Sequence, residues 1–441
     1  MKKTFYIETY GCQMNFSDTE IVASILTKEN FLEAPSPEEA GLILLNTCSI
    51  RENAEQRIFN RLRHLKSLKK KNKGMMIGIL GCMAERLKEQ LFEEGVVDIV
   101  AGPDSYRELP QLIYSANESG KAFNILLSAE ETYADINPVR IDSNGVSAFI
   151  SIMRGCQNFC AYCVVPYTRG TERSRSADTI LSEATTLFND GYREITLLGQ
   201  NVNSYHYNNV NFPELLSEVA KINPALRIRF ATSHPKDLSD ELIEVIASND
   251  NICKSIHLPL QSGSNRILKL MKRNYSRESY MAIIDKIYSQ IPGCSISTDI
   301  ICGFCSENDQ DHGHTLDIMR RVAYDSAFMF RYSERPGTFA AGKYKDDVPE
   351  KIKTQRLNEI IALQNKLSLE KNKKDIGKTF EVLIEGRSKK SAAQLSGRNS
   401  QNKVVVFTDD KHQPGEYVMV KITGCTSATL KGEIINSEVR S

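Results

Sequence analysis

No apolar run in this 441-residue chain is long enough to cross a bilayer. No signal-peptide pattern follows Met1. Both absences lead to the expectation of a cytosolic protein without a membrane partner. Net charge is nearly absent as well. Lys plus Arg number 56 against 55 Asp plus Glu, leaving +1, so charge alone names no partner. The chain does have eleven cysteines. In a reducing compartment these are not a disulfide framework, so they are metal ligands, reactive thiols or buried hydrophobes. Their spacing has to decide.

Residues 1–118 read as a parallel α/β sheet domain. Apolar strands at TFYIETY, AGLILLNT, GMMIGILG and VVDIVAGP alternate with amphipathic stretches. The first helix is expected at SDTEIVASILTKE with Ser17 as N-cap, the third from about Glu85 and the last from near Ser105. Three of the strands run directly into a cysteine, in ETYGCQMN, LLNTCSIR and ILGCMAER. Parallel strands leave a sheet by one edge, and sites form outside their carboxyl ends. Cys12, Cys48 and Cys82 are therefore expected to share one metal or cluster site. Three thiolates without an evident fourth ligand suit either an iron–sulfur cluster with one open iron or a zinc with an open position. The basic run RLRHLKSLKKKNK (Arg61, Arg63, Lys69, Lys70) reads as a solvated helix face or as a phosphate-facing patch.

After a linker at 119–145, a second domain is expected over 146–345. It opens with a strand entering a C-x3-C-x2-C loop, Cys156, Cys160 and Cys163. Three cysteines within eight residues suit one face of a cubane cluster. No further cysteine or histidine follows at zinc-ribbon spacing. Strands recur at EITLLGQN, RIRFATSH, SIHLPLQS, SISTDIICGF and SAFMFRYS, giving a partial (βα)6 barrel. Polar residues close those strands, and in such barrels the carboxyl ends carry the active site.

Residues 346–375 read as a polar helical linker that packs back on the barrel. From 376 to 441 short strands with Gly and Pro turns indicate a small β-barrel. Arg387, Lys389, Lys390 and Arg398 cluster in its first loops, and such barrels often bind oligonucleotides.

The C-x3-C-x2-C loop resembles that of the radical S-adenosylmethionine (SAM) superfamily. The whole order of parts, a three-cysteine α/β domain, a radical SAM barrel and a TRAM-like RNA-binding β-barrel, resembles the methylthiotransferases. The motifs ETYGCQMN, NTCSIRENAEQR and LLGQNVNSY look like the branch that makes 2-methylthio-N6-isopentenyladenosine beside the tRNA anticodon, at position 37. Two departures stand out. Cys305, Ser306 and Glu307 occupy a place where the family usually has Pro-Gly-Glu. Gly199, Gln200 and Asn201 stand where Gly-Gly-Glu is usual. Cys302 and Cys305 form a C-x2-C pair too small for a cluster, and Cys253, Cys294 and Cys425 read as structural.

The resemblance implies two 4Fe-4S clusters, an auxiliary one on Cys12, Cys48 and Cys82 and a radical one on Cys156, Cys160 and Cys163. It also implies two SAM per turnover, one as methyl donor and one as radical source. Sulfur would come from the auxiliary cluster. Tyr162, Gln200, Asn201, Ser233, Gln261 and Asp299 are candidate SAM contacts. The chemistry explains the radical: a carbanion at C2 of adenine is far too basic for any side-chain base tuned near neutral pH. Protein side chains beyond the cluster ligands are not expected to be catalytic. Implied partners are a tRNA anticodon stem-loop, an external electron donor and an iron–sulfur assembly or carrier protein, with the chain itself a monomer. Rival readings are a methylthiotransferase acting on another tRNA adenosine or on a ribosomal-protein aspartate, and an electron-transfer or zinc-bearing RNA-binding protein without catalysis.

Overall fold

The structure is a computed structural model and describes residues 2–49, 52–141, 144–389 and 391–435. Lys390, two positions of the expected linker (142–143) and the last six residues of the expected third domain lie outside the described residues. The chain divides into two compact units. One comprises residues 1–142 with 153–159 and 163–179; the other comprises 143–152, 160–162 and 180–441.

In the first unit, strands β1 (Thr4–Thr9), β2 (Leu32–Glu33), β3 (Leu42–Thr47), β4 (Met76–Gly81), β5 (Ile99–Ala101) and β6 (Ala122–Asn124) form one parallel sheet in the order β2-β1-β3-β4-β5-β6. Both faces are buried, which is why the central strands read as unbroken apolar runs. Leu42, Leu44 and Ile99 face one core with Ile21, Val22 and Leu112. Ile43, Leu45, Ile77 and Ile79 face the other with Ile58, Leu62 and Met83. The three-residue β6 and the two-residue edge strand β2 escaped the sequence reading because neither is long enough to show a period.

Helix α1 (Gln13–Lys28) begins earlier than expected. Cys12, not Ser17, is its N-cap, with extended backbone at φ −99° and ψ 174°. Ser17 lies inside the helix and is buried. The chain turns within three residues of β1, so the polar residues of its first turns face protein rather than water. Helix α2 spans Glu52–Lys71. Helix α3 (Cys82–Leu87) starts at the cysteine itself, not at Glu85. Helix α4 (Leu109–Ser119) starts after Ser105, with Pro110 in its first turn.

In the second unit, β7 (Ser147–Ser151), β8 (Glu194–Leu198) and β9 (Arg227–Ala231) pair in parallel, as do β10 (Ser255–His257), β11 (Ser295–Cys302) and β12 (Ser326–Arg331). An isolated parallel bridge, Ile228 to Ile252, lies between the two groups. These are the six barrel strands read from the sequence, in chain order. The helix Glu350–Lys373 packs on β12. Its Gln364 and Ser368 donate to the carbonyls of Tyr324 and Asp325 at 2.9 and 2.8 Å.

The last strands, β13 (Thr379–Ser388), β14 (Ser391–Asn399), β15 (Val404–Thr408), β16 (Tyr417–Cys425) and β17 (Thr429–Ile434), close into a barrel in the order β13-β14-β15-β17-β16. The stretch QLSGRNSQNKVVVF is two strands joined by a turn, not one. This barrel is held to the amino-terminal end of β9. Arg227 donates to the carbonyl of Arg398 at 2.7 Å and to Glu381 at 3.2 Å. Arg229 donates to Glu194 and to the carbonyl of Asn399, both at 2.9 Å. Tyr417 Oη donates to the Arg193 and Ala225 carbonyls, and the Arg227 guanidinium stacks 4.9 Å from its ring. Arg229→Ala leaves Glu194 buried without its partner, a loss on the order of 3–5 kcal/mol. Denaturant unfolding is expected to show that loss, with limited proteolysis releasing a fragment that starts near residue 376.

Candidate functional site

The register of β1, β3 and β4 levels their carboxyl ends. Thr9 pairs with Asn46, and Thr47 pairs with Gly81. Cys12 follows β1 by three residues, while Cys48 and Cys82 come directly after β3 and β4. Two glycines allow the approach. A Cβ on Gly11 (φ +137°) would stand 2.5 Å from Cys48 Cβ, and one on Gly81 (φ +86°) would stand 2.6 Å from the Thr47 carbonyl oxygen. Cys48 and Cys82 are buried and Cys12 half-buried. A hydrogen bond with Cys48 and the charge of Arg169 outweigh burial and lower the Cys12 thiol to about 6. The sheet brings the chain positions of these three cysteines to one edge, with Cys12 hydrogen-bonded to Cys48.

Residues that the sequence reading passed over hold this edge. Asn15 Nδ2 donates to the Tyr10 carbonyl at 3.2 Å, and Asn46 Nδ2 donates to the Asn15 carbonyl at 2.8 Å and to Thr19 Oγ1 at 3.0 Å. Asp18 is completely buried on α1. Burial works against its charge, yet the guanidiniums of Arg154 and Arg169, each at 2.7 Å, hold its carboxyl below the usual range. Arg169 Nε donates to Cys82 Sγ at 3.3 Å. Polar residues at helix-core positions of an α/β domain were the available signal: Asn15 and Asp18 sit on the buried side of α1, where the period calls for apolar side chains. Among the described residues, no group of three His, Cys, Asp or Glu side chains stands close enough to hold a single metal ion. A cluster distributes its thiolates over several irons, and the paired Cys12 and Cys48 beside Cys82 suit that donor set.

The loop of the second cysteine group is divided between the two units. In the first, Cys156 N–H donates to the Gly170 carbonyl at 3.1 Å, and Asn158 Nδ2 lies 3.5 Å from Cys156 Sγ. Cys163 precedes helix α5 (Val165–Arg169). In the second, Cys160 is buried and accepts from Arg273 Nη1 at 3.4 Å, while Arg273 Nη2 donates to the Pro259 carbonyl. Tyr162 packs against the group formed by Ala161, Met271, Phe304 and Tyr332.

Asn201, Ser233 and Gln261 follow strand ends where polar residues were expected, whereas Asp299 lies inside β11 rather than at its end. Asn201, Ser233 and Gln261 are buried, and among the described residues Asn201 Oδ1, Ser233 Oγ and Gln261 Oε1 have no hydrogen-bond partner; neither do the side-chain polar atoms of Asn203. Each unmet buried group costs about 1–3 kcal/mol. Thr232 and Gln261 hold positive φ (+73° and +66°), strain of the kind stored where a ligand is gripped. Together these atoms fit a polar ligand such as SAM. Asn201 Nδ2 donates to Asp237 at 2.7 Å. Asp299 lies on β11 with its Oδ2 3.4 Å from His257 Nε2, and Gln200 is half-buried.

The basic candidates separate into two groups. Arg61 forms a double hydrogen bond with Glu8, Lys69 an ion pair with Asp98 at 2.5 Å, and Arg398 an ion pair with Glu385 at 3.1 Å. These three brace the fold. Arg63, Lys70, Arg387 and Lys389 are exposed. Exposed Phe159 and Tyr167, with ring centroids 6.3 Å apart, were not singled out from the sequence. Cys302 and Cys294 are buried thiols pushed up to about 12 by burial, and Cys253 and Cys305 are also raised by burial, so these four are suited to packing rather than reaction.

Three family models match the chain: the uncharacterized protein family UPF0004 over residues 4–102, the radical SAM superfamily over 150–319 and the TRAM domain over 373–435. Solved structures of similar fold include the radical SAM methyltransferase TsrM from Kitasatospora setae with cobalamin and a 4Fe-4S cluster bound (TM-score 0.58, 12% identity, 77% of each chain). Another is the cobalamin-dependent SAM radical enzyme OxsB with aqua-cobalamin bound (TM-score 0.53, 15% identity, 82% of this chain and 56% of that one). Fold and matches define a radical SAM enzyme, a class that uses SAM and an iron–sulfur cluster. Relatives named tRNA-2-methylthio-N(6)-dimethylallyladenosine synthase are 56% identical over 440 residues in Bacteroides fragilis (99% of this chain, 96% of the relative) and 53% identical over 443 residues in Porphyromonas gingivalis (99% and 96%). The one from Chloroherpeton thalassium is 56% identical over 437 residues (98% and 96%). The chain belongs to the tRNA-2-methylthio-N(6)-dimethylallyladenosine synthase family of radical SAM methylthiotransferases. No helix among the described residues is long and apolar enough to cross a membrane.

Glu85, one turn after Cys82 on α3, is buried near Lys88 and Asp104, and burial raises its carboxyl to about 7. A carboxyl raised in the fold favours the protonated form. Its contribution to stability is complete below about pH 4.5 and is lost as pH rises through about 7. Thermal unfolding of the Glu85→Gln variant is expected to fall less between pH 5 and pH 8 than that of the unsubstituted chain. Equal slopes would contradict the assignment.

Proposed function

We propose that this enzyme places a methylthio group on C2 of N6-isopentenyladenosine at position 37 of tRNA. Cys156, Cys160 and Cys163 would hold the radical SAM cluster, and Cys12, Cys48 and Cys82 a second, auxiliary one. The level carboxyl ends of β1, β3 and β4 carry the second assignment. When bound, the two clusters supply the electron that makes SAM a radical source and the sulfur that enters the product, with a further SAM providing the methyl group. The residues of the chain then have separate tasks. Buried Asn201, Ser233 and Gln261 orient SAM with atoms that lack a protein partner. Arg273 donates to Cys160, and Arg169 to Cys82, fixing each thiolate's direction and density.

The tRNA loop is approachable because its bases are single-stranded and stack on aromatic or Arg planes. Exposed Phe159 and Tyr167 suit that task in the first unit, and Arg387 and Lys389 suit phosphates in the second. Arg61, Lys69 and Arg398 are paired within the protein, and phosphate contact is assigned to exposed Arg63 and Lys70 on α2 and to exposed Arg387 and Lys389 near the β13–β14 connection. An external electron donor and an iron–sulfur carrier would serve the clusters, and the enzyme would work as a cytoplasmic monomer.

Two experiments test this. Replacing Cys12, Cys48 and Cys82 with Ala is expected to leave SAM cleavage intact and abolish methylthiolation, read by mass spectrometry of tRNA nucleosides. A triple variant that still transfers sulfur would refute the donor role. Arg387→Glu with Lys389→Glu is expected to weaken tRNA binding and lower the salt slope by about one to two units, roughly one per phosphate contact. An unchanged slope would remove these residues from the interface.

A further inference from the structure

We propose that Arg169 sets the reduction potential of the auxiliary cluster by donating to the sulfur of Cys82. This rests on the reading that Cys12, Cys48 and Cys82 hold a cluster. Arg169 closes the short helix α5, six residues after Cys163. It is buried within a charged network of the first unit. Arg154 donates to Asp18 at 2.7 Å and to the Pro103 carbonyl at 3.0 Å. Arg173 donates to Asp104 at 3.0 Å and to the Arg169 carbonyl at 3.0 Å. Arg169 shares Asp18 with Arg154 through Nη2, donates through Nε to Cys82, and leaves Nη1 buried with no partner among the described residues.

Three guanidiniums thus share two carboxylates, Asp18 and Asp104, in the ion pairs of this network. A buried unpaired charge is costly, and a buried charge is retained when something balances it. Asp18 is already paired by Arg154, so neutralising that carboxylate does not by itself require Arg169. Arg154 Nε and Arg173 Nε also lack a hydrogen-bond partner among the described residues, but Arg169 is the member of the network that donates to a cysteine. Anionic sulfur, as thiolate and cluster sulfide, is the chemical class that matches both its charge and its free N–H. Hydrogen bonds and positive charge at cluster sulfurs favour the reduced state and raise the potential. Arg169 is a positioning residue here: it acts through Cys82.

The test uses the full-length chain with Cys156, Cys160 and Cys163 replaced by Ala, reconstituted with iron and sulfide, so that the remaining iron belongs to the auxiliary site. Redox titration followed by electron paramagnetic resonance is compared for this parent, for Arg169→Lys and for Arg154→Lys. Both substitutions keep the charge and disturb the Asp18 pair, but Arg169→Lys removes the donor to Cys82. Arg169→Lys is expected to lower the ratio of reduced to oxidised cluster at fixed potential about tenfold, a shift of about 59 mV to more negative potential for one electron. Arg154→Lys is expected to titrate with the parent. Equal potentials in all three, or equal shifts in both variants, would overturn the proposal. If Arg169→Lys holds no iron, Arg169→Gln is titrated in its place under the same criterion. A parent that binds no iron would overturn the cluster reading itself, a result distinct from either of these.

Discussion

The structure depends on the level parallel register of β1, β3 and β4. Hydrogen bonding fixes Thr9 opposite Asn46 and Thr47 opposite Gly81, so the three strands end together. A slip of one residue in any strand would send each of its side chains to the opposite face. Here neither face is expendable, because Leu42 and Leu44 serve one core and Ile43 and Leu45 the other. The packing that stabilises the sheet is therefore what holds three thiols to a common edge. The glycines at 11 and 81 finish the arrangement by removing the Cβ atoms that would hold Cys48 and the β3 end away.

The same logic extends to the polar residues around that edge. Asn15, Asn46 and Asp18 occupy positions where a stability argument alone would place apolar side chains, and each is satisfied by hydrogen bonds. On the barrel rim the opposite holds: Asn201, Ser233 and Gln261 keep buried atoms unmet, and Thr232 and Gln261 keep strained backbone. A satisfied network gives rigidity to the cysteine edge. Unmet groups on a rim give affinity to a ligand that arrives and leaves. The third domain differs again, since buried Arg227 and Arg229 tie its backbone carbonyls to the amino-terminal end of β9 and leave Arg387 and Lys389 exposed.

Much of this was legible in the sequence, for a physical reason. Strands buried on both faces must be continuous apolar runs, so the four main strands of the first sheet and the six barrel strands announced themselves, and the cysteines at their ends came with them. Helix starts were less legible. Ser17 has the chemistry of an N-cap, yet the chain turned at Cys12 because β1 ended there, and tertiary position overrode the local preference. The arginine network was not legible at all. Arg154, Arg169 and Arg173 are separated by more than a hundred residues from Asp18, and a charge in a sequence carries no sign of whether it will be buried. The basic run on α2 shows the converse: Arg61 and Lys69 looked available for phosphate and are instead paired with Glu8 and Asp98.

The central claim is that the sheet edge holds the sulfur that leaves with the product. It is tested most directly by reconstituting the full-length enzyme with sulfide of a heavy sulfur isotope, allowing a single turnover on tRNA, and weighing the methylthio nucleoside. Heavy sulfur is expected at C2, and none in a chain lacking Cys12, Cys48 and Cys82. Product carrying light sulfur from a fully labelled enzyme would contradict it.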